Sequence, residues 1–240
     1  MRPAAARGGF WLACGAYIVL LHAVLLVLVV KTNFLLLAGK TLGFLPPEEW
    51  NTELATRLLE QAGEDKTVPP GQVVLLGDSI IAQLDARQIT PDTVNFGIGG
   101  DTTRTLHVRL PVLHSVPRSR AAVIGVGVND LKYRPVEQIA RDYQTMLDQL
   151  PPMLPVLAVS VLPVDENGPA ARQRPYLRNA HARALNAEIK RLCAARAGCG
   201  FLDAWPVLAQ DAVHAGDGWH LSAKGNLLLA RAIRDALPAR

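Results

Sequence analysis

The stretch Val73-Val74-Leu75-Leu76-Gly77-Asp78-Ser79 decides how the rest of the chain is read. Four apolar residues, two of them β-branched, have the character of a short buried strand. Gly77 closes the run with a residue that tolerates a sharp turn. Asp78 and Ser79 follow, and Ile80-Ile81-Ala82-Gln83-Leu84 can open a helix. A serine at the carboxyl end of a buried strand stands where open α/β sheets gather their ligands. Taken alone, the stretch favours a simpler role for Ser79 as the cap of the next helix. Three later segments reverse that preference.

Outward from this strand, short apolar runs alternate with helical patterns. Strands are expected over 73–76, 93–96, 121–126, 156–162 and 200–203, and helices over 80–87, 102–113, 136–150, 175–197 and 221–237. Such alternation predicts a parallel sheet covered on both faces. Pro151-Pro152 and the segment from Pro163 to Pro175 read as loops, the second long enough to line a substrate groove. No internal repeat or low-complexity segment is visible.

Toward the N-terminus, Phe10 to Val30 contains no Asp, Glu, Lys or Arg. A helix spanning the roughly 30 Å hydrocarbon core needs about 20 apolar residues. The run is longer than the apolar part of a cleaved leader, and Val27-Leu28-Val29-Val30-Lys31 is a poor cleavage site. Apolar residues all round leave no polar stripe for a soluble helix. We therefore expect one uncleaved transmembrane helix. Arg2 and Arg7 nearly balance Lys31 and Lys40 in the positive-inside count; the expected orientation places the N-terminus in the cytoplasm and the main domain outside. The layout is then a tail over 1–9, an anchor over 10–30, a juxtamembrane segment with helix and linker over 31–71, and the main domain over 72–240. Within the third part, 34–45 is apolar but interrupted by Lys40, which suits an interfacial or domain-packed segment. Pro46-Pro47 breaks it. A helix is expected over 48–61, with Trp50, Leu54, Leu58 and Leu59 on one side, and 63–71 reads as the linker.

A chain of 240 residues allows one good-sized domain plus this appendage. Its 50% hydrophobic content and mean hydropathy of +0.17 are high for a soluble domain, and much of the excess sits near the N-terminus. The net charge of +4 is mild, Lys and Arg are scattered and aromatics are only 5%, so no nucleic-acid footprint is expected. Cys14, Cys193 and Cys199 match no zinc spacing and are too few for a disulfide framework. Cys193 and Cys199 could pair in an oxidising compartment, but two unpaired thiols are the slightly favoured reading.

Three segments besides Gly77-Asp78-Ser79 carry chemistry. Asn95-Phe96-Gly97-Ile98-Gly99-Gly100-Asp101-Thr102-Thr103 follows the second strand. Its glycines let backbone N–H groups approach an anion. It lacks the dinucleotide fingerprint spacing, and Asp101 would repel phosphate. An oxyanion hole is the alternative, and it is compatible with a plain turn capped by Asp101 or Thr102. Gly125-Val126-Gly127-Val128-Asn129-Asp130 ends the third strand, which puts Asn129 at the same sheet edge as Ser79. An amide side chain can donate to an oxyanion without bringing a charge, although Asn-Asp is also an ordinary turn pair. Asp217-Gly218-Trp219-His220-Leu221-Ser222 precedes the last helix. Histidine serves as a general base near neutral pH, and a bend at Gly218 would let the Asp217 carboxylate reach the imidazole and fix its tautomer. His107, His114, His181 and His214 lack such a setting. A metal site from Asp78, Asp130, Asp217 and His220 is weakened by the absence of tight ligand spacing.

These four segments, in this order, resemble the SGNH (GDSL-type) hydrolase family. The Asn95–Thr103 segment and Leu162-Pro163 are similar to the branch holding the platelet-activating-factor acetylhydrolase catalytic subunits. The resemblance runs from about Gln72 to Leu237. It implies a three-layer α/β/α, flavodoxin-like fold with a five-stranded parallel sheet. It also implies Ser79 as nucleophile, His220 as base, Asp217 as its partner, and an oxyanion hole from Ser79 N–H, Gly100 N–H and the Asn129 side chain. Asp78 would shape the turn, and Asp101 and Asp130 would brace loops. The absence of a Gly-x-Ser-x-Gly elbow separates the chain from the ordinary α/β-hydrolases. The expectation is a membrane-anchored serine esterase acting on acetyl or lysophospholipid-type carboxylic esters, with no cofactor or metal. Competing expectations are an O-acyltransferase on envelope glycans using the same acyl-enzyme, a non-catalytic binding module of the same fold, and a metal-dependent phosphohydrolase.

Overall fold

The computed structural model describes residues 5–31 and 52–238. The chain divides into two compact units, Met1–Thr52 and Glu53–Arg240. The described part of the first is a single helix, α1 (Ala5–Lys31). Its side chains at 5–10, 12, 13, 26 and 28–31 lie outside the description. Trp11, Tyr17, Ile18 and Val19 on it are exposed. Among the described residues no helix is long and apolar enough to cross a membrane, so the crossing expected over 10–30 is not established by the structure. The apolar segment expected over 34–45, the Pro46-Pro47 break and Trp50 fall outside the described residues.

The second unit runs α2 (Thr52–Glu64), β1 (Val73–Gly77), α3 (Ser79–Ala82), β2 (Thr93–Gly97), α4 (Thr103–Arg109), β3 (Ala121–Gly125), α5 (Val136–Gln149), β4 (Val156–Val159), α6 (Pro169–Gln173), α7 (Asn179–Ala195), β5 (Cys199–Leu202) and α8 (Ala223–Ala236). The five strands form one sheet in the order β2-β1-β3-β4-β5, and every pairing is parallel. This is the expected three-layer sandwich. Side chains alternate across a strand, and β1 shows it: Val73 and Leu75 join Ile80 and Ile81 of α3 and Leu229 and Ile233 of α8. Val74 and Leu76 join Leu106 of α4, Tyr143 of α5 and Ile189 of α7 on the opposite face. All four β1 side chains are fully buried, each contributing about 1.5–3 kcal/mol. Burial on both faces is why this strand reads as an unbroken apolar run.

Element ends depart from expectation where side chains take over backbone hydrogen bonds. α3 lasts one turn, not 80–87, because the Asn95 amide captures the carbonyls of Ile81 and Leu84 at 2.7 and 2.9 Å. α4 yields to a 3-10 turn over Leu110–Val112 because Pro111 has no N–H to continue the ladder. β4 stops at Val159, three residues before the expected end. Beyond it the Asn186 amide accepts from Val161 N–H at 2.7 Å and donates to its carbonyl at 2.8 Å, replacing a neighbouring strand. The helix expected over 175–197 begins only at Asn179, as α7, and the loop expected over 163–175 holds the short helix α6.

Two further expectations are corrected. The presumed linker over 63–71 belongs to the compact unit, which begins at Glu53 and not at Gln72. Asp65 is fully buried and accepts from the Ser115 N–H and hydroxyl, a long-range tie that no local pattern announces. Cys193 and Cys199 form a disulfide, against the favoured reading of free thiols. The turn from α7 into β5 folds back at Gly198 (φ +72°), bringing the two Cα atoms to 5.1 Å, a separation that disulfides span.

Gly77 is required by close approach. A Cβ there would lie 2.0 Å from the Gly125 carbonyl oxygen, a backbone atom that cannot swing aside. Gly77→Ala should lower the melting temperature by about 10 °C, the consequence of a roughly 3 kcal/mol loss in a domain of this size. An unchanged thermal melt would show that the strand ends can separate.

Candidate active site

The register of the three central strands builds the site's floor. Gly77, Gly97 and Gly125 stand level at the carboxyl edge, so the segments after β1, β2 and β3 leave the sheet side by side. Gly77 O accepts from Ile98 N at 2.8 Å, and Asp78 N donates to Gly125 O at 3.1 Å. The Asp78 carboxylate caps α3 by accepting from Ile80 N at 2.9 Å, which leaves Ser79 on the first turn, half-buried at the sheet edge.

The Asp217–Ser222 loop brings the imidazole to that serine. His220 Nε2 lies 3.0 Å from Ser79 Oγ, and His220 Nδ1 lies 2.6 Å from Asp217 Oδ2. The other oxygen, Asp217 Oδ1, accepts from the N–H groups of Trp219 and His220, each at 2.9 Å. Gly218 makes this bend at φ +73°, as the sequence suggested. A carboxylate on Nδ1 keeps the proton there and leaves the Nε2 lone pair facing the hydroxyl. Partial burial would raise the Asp217 pKa, but hydrogen bonds from His220 and from the two backbone N–H groups outweigh it and hold the carboxyl below its usual value.

Asn129 stands at the start of the turn after β3, and its amide donates to the carbonyl of Asp101 at 3.0 Å. That bond ties Asn129 to the residue following Gly100, whose φ of +79° turns the glycine loop. All five expected site residues, Ser79, Gly100, Asn129, Asp217 and His220, therefore come from segments gathered at one end of the sheet. A cavity of about 460 Å³ opens beside the serine, lined by Ser79, Gln83, Leu84, Asn95 and Ile98, with Arg57 of α2 at its side. A larger cavity of about 920 Å³ between α5 and α7 contains none of these site residues.

Under the site lies a buried polar frame that sequence reasoning caught only in part. Asp101 binds Arg109 through Nε at 2.9 Å and Nη2 at 2.7 Å, and both side chains are almost wholly buried. Arg109 also reaches Gln61 of α2 at 3.3 Å, and Gln61 donates to the Gly97 carbonyl at 3.2 Å. Asp130 accepts from the Thr103 N–H and hydroxyl and pairs with Arg134. Asp101 and Asp130 brace loops, as expected. Arg109, Gln61, Thr103 and Arg134 were missed. Thr105 and Arg109 lie one turn apart on α4 and Asp101 stands four residues before Thr105, just ahead of the Thr102 cap, so that spacing was the legible signal; nothing local pointed to Gln61.

Among the described residues no group of three or more His, Cys, Asp or Glu side chains converges on a metal position. Asp78, Asp130 and Asp217, invoked for such a site, each hold separate partners. Burial raises the Asp78 pKa to about 7, against the pull of Ile80 N–H and with a push from Asp101 and Asp130. Burial likewise raises Asp130 to about 6. For Asp78 the folded state keeps a proton that the unfolded chain releases above about 3.8. Its contribution to stability is therefore full below that value and is lost as pH rises toward 7. Asp78→Asn keeps the acceptor for Ile80 and removes the titration. Relative to wild type, the variant should gain stability between pH 4 and 7.5 by on the order of a few kcal/mol in urea unfolding. A pH-independent difference between the two proteins would contradict this.

A serine, an imidazole and a carboxylate in hydrogen-bonded series, with a neutral amide donor nearby, define the machinery of acyl transfer. The chain belongs to the GDSL-like lipase/acylhydrolase family, whose model matches residues 75–228, and it is an ester hydrolase of that family. The resemblance read from the four segments thus holds. Solved structures agree in fold. A Streptococcus pneumoniae protein named for platelet activating factor is 22% identical with a TM-score of 0.69, over 76% of this chain and 92% of its own. A lipase/acylhydrolase of Enterococcus faecalis is 24% identical with a TM-score of 0.59, over 69% and 94%. A GDSL-like lipase of Bacteroides thetaiotaomicron is 19% identical with a TM-score of 0.60, over 75% and 96%. No curated protein matches the chain.

Proposed function

We propose that the protein is a membrane-anchored serine esterase that cleaves carboxylic esters through an acyl-enzyme on Ser79. The observation that carries this reading is the unbroken series Ser79–His220–Asp217, at 3.0 and 2.6 Å. His220 Nε2 takes the hydroxyl proton as Ser79 Oγ attacks the ester carbonyl. Asp217 stabilises the imidazolium that forms. The oxyanion is received by the N–H groups of Ser79 and Gly100 and by the Asn129 amide. His220 then gives its proton to the leaving alkoxide, and water repeats the sequence to free the acid and restore the serine.

Asn129 donates to the Asp101 carbonyl in the free enzyme; its second amide hydrogen is the one offered to the oxyanion. Asn129→Ala should lower kcat by about 10²–10³-fold with a small change in KM. Unchanged turnover would remove Asn129 from the role. Hydrolysis itself is tested by product analysis with p-nitrophenyl acetate, with and without an acceptor sugar. Free acetate in both cases supports the hydrolase, whereas acetylated sugar in place of acetate means a transferase.

The anchor is supported by the sequence alone, whose uncharged run Phe10 to Val30 matches the roughly 20 apolar residues that a hydrocarbon core needs. The external placement of the domain is supported by the Cys193–Cys199 disulfide, since such bonds persist in oxidising compartments. A reporter that is active only outside the cytoplasm, fused after Arg240, should be active. Activity of a reporter confined to the cytoplasm would reverse the orientation.

A further inference from the structure

One wall of the site carries charge that the ester-cleaving steps do not use. The Trp219 ring stacks on His220 with centroids 4.9 Å apart. The Arg174 guanidinium sits over the same ring, 5.5 Å from its centroid. Arg174, Lys132 and Tyr133 all lie within electrostatic range of the Tyr176 hydroxyl. Lys132 follows Asn129 by three residues, on the short turn Asp130–Lys132, with its ammonium over the Tyr133 ring at 4.7 Å. One cation–ring pair thus stands beside the base and the other on the turn that follows Asn129.

These cations differ from those that brace the fold. Arg104, Arg109, Arg120 and Arg134 are each paired with an aspartate. Among the described residues neither Arg174 nor Lys132 makes an ion pair with a carboxylate. The nearby acids are otherwise engaged. Asp217 holds His220, Asp165 accepts from Asn167 N, and Glu166 accepts from Asn179 N. The wall is also preorganised. The loop carrying Arg174 is clamped onto the histidine loop by Asp165 N to Gly218 O at 2.8 Å and Ala170 N to Asp217 O at 3.0 Å. Guanidinium and ammonium donors lying against aromatic rings suit an oxyanion ligand.

Building on the esterase reading, we propose that Arg174 and Lys132, framed by Tyr133, Tyr176 and Trp219, form a subsite for a phosphate or carboxylate carried by the ester substrate. The enzyme then selects anionic esters over neutral ones of the same shape. The anion could belong to a phosphorylated acylglycerol or to an acetylated uronic acid, and matched pairs separate the two. One pair is hexanoylglycerol and hexanoylglycerol phosphate, below micelle-forming concentration. The other is acetylated methyl glucoside and acetylated methyl glucuronide.

In the full-length protein, the charged member of one pair should show about ten- to a hundredfold higher kcat/KM, the range expected for hydrogen bonds to a charged group. That preference should shrink as salt is raised. Arg174→Gln and Lys132→Gln should each reduce the charged-to-neutral ratio about tenfold, and Arg174→Lys should restore part of it. The pair that responds identifies the source of the anion. A ratio near one in both pairs, or a ratio unmoved by both glutamine variants, overturns the subsite while turnover of the neutral esters leaves the esterase standing. Absence of turnover on all four esters and on p-nitrophenyl acetate overturns the esterase, and the subsite falls with it.

Discussion

Ser79→Ala is expected to reduce ester turnover by about 10⁴–10⁶-fold, the loss seen when a nucleophile that works through a base is removed. The substitution deletes one half-buried hydroxyl whose partner is His220 Nε2. It leaves the Asp78 cap of α3 intact, so the thermal melt should stay close to that of the wild type. Labelling by a fluorophosphonate should vanish together with turnover. If the variant still labels at the wild-type rate, another residue is the nucleophile and the assignment of the site fails. Labelling also separates an esterase from a binding module that keeps the fold: a binding module has no need of a serine activated by a base, and a wild-type protein that never labels would favour it.

Asp217→Asn is expected to cost about 10⁴-fold in kcat, with the loop still in place. Asparagine keeps the oxygen that accepts from Trp219 N and His220 N. It replaces the oxygen 2.6 Å from His220 Nδ1 with an N–H₂ donor. That donor forces the proton onto Nε2, where it blocks acceptance from Ser79. The damage is therefore to the tautomer and not to the backbone, and KM should move little. Asp217→Ala loses both functions and should lower stability as well. An Asp217→Asn enzyme with kcat within a few-fold of the wild type would show that the carboxylate does not orient the base. Acid has a related effect with a definite sign. Because hydrogen bonding holds the Asp217 carboxyl below its usual value, its stabilising contribution is present above the ordinary carboxylate range and is lost as pH falls through the depressed one. Asp78 acts in the opposite direction, which is why comparing variants with the wild type isolates each group.

The site's rigidity has a physical source in the frame beneath it. Arg109 lies almost wholly buried, and an unpaired cation there would be costly. It is matched by Asp101 and further held by Gln61. Through Asp101 the frame reaches the Asn129 amide, and through Gln61 it reaches the end of β2. The Asn129 amide and the end of β2 are thus held by groups outside the Ser79–His220–Asp217 series, an arrangement that favours preorganisation of the proposed oxyanion hole.

Much of this was legible in the chain itself. Strand starts, the alternation that demands a covered parallel sheet, and the four segments of the site all depend on residue types a few positions apart, and hydrophobic periodicity reports such local order directly. Ser79, Gly100, Asn129, Asp217 and His220 were identifiable because each sits beside a turn that a neighbouring glycine, asparagine or aspartate makes possible. Other features were decided only by packing. The serine and the imidazole are 141 positions apart, Asp65 meets Ser115 across 50, and Gln61 meets Arg109 across 48. The one-turn length of α3, the early end of β4 and the Cys193–Cys199 bond likewise depend on which side chain arrives from elsewhere to satisfy a backbone group or a thiol. A sequence pattern encodes what each segment prefers; distances between segments are set when the sheet assembles and the buried polar groups must all find partners.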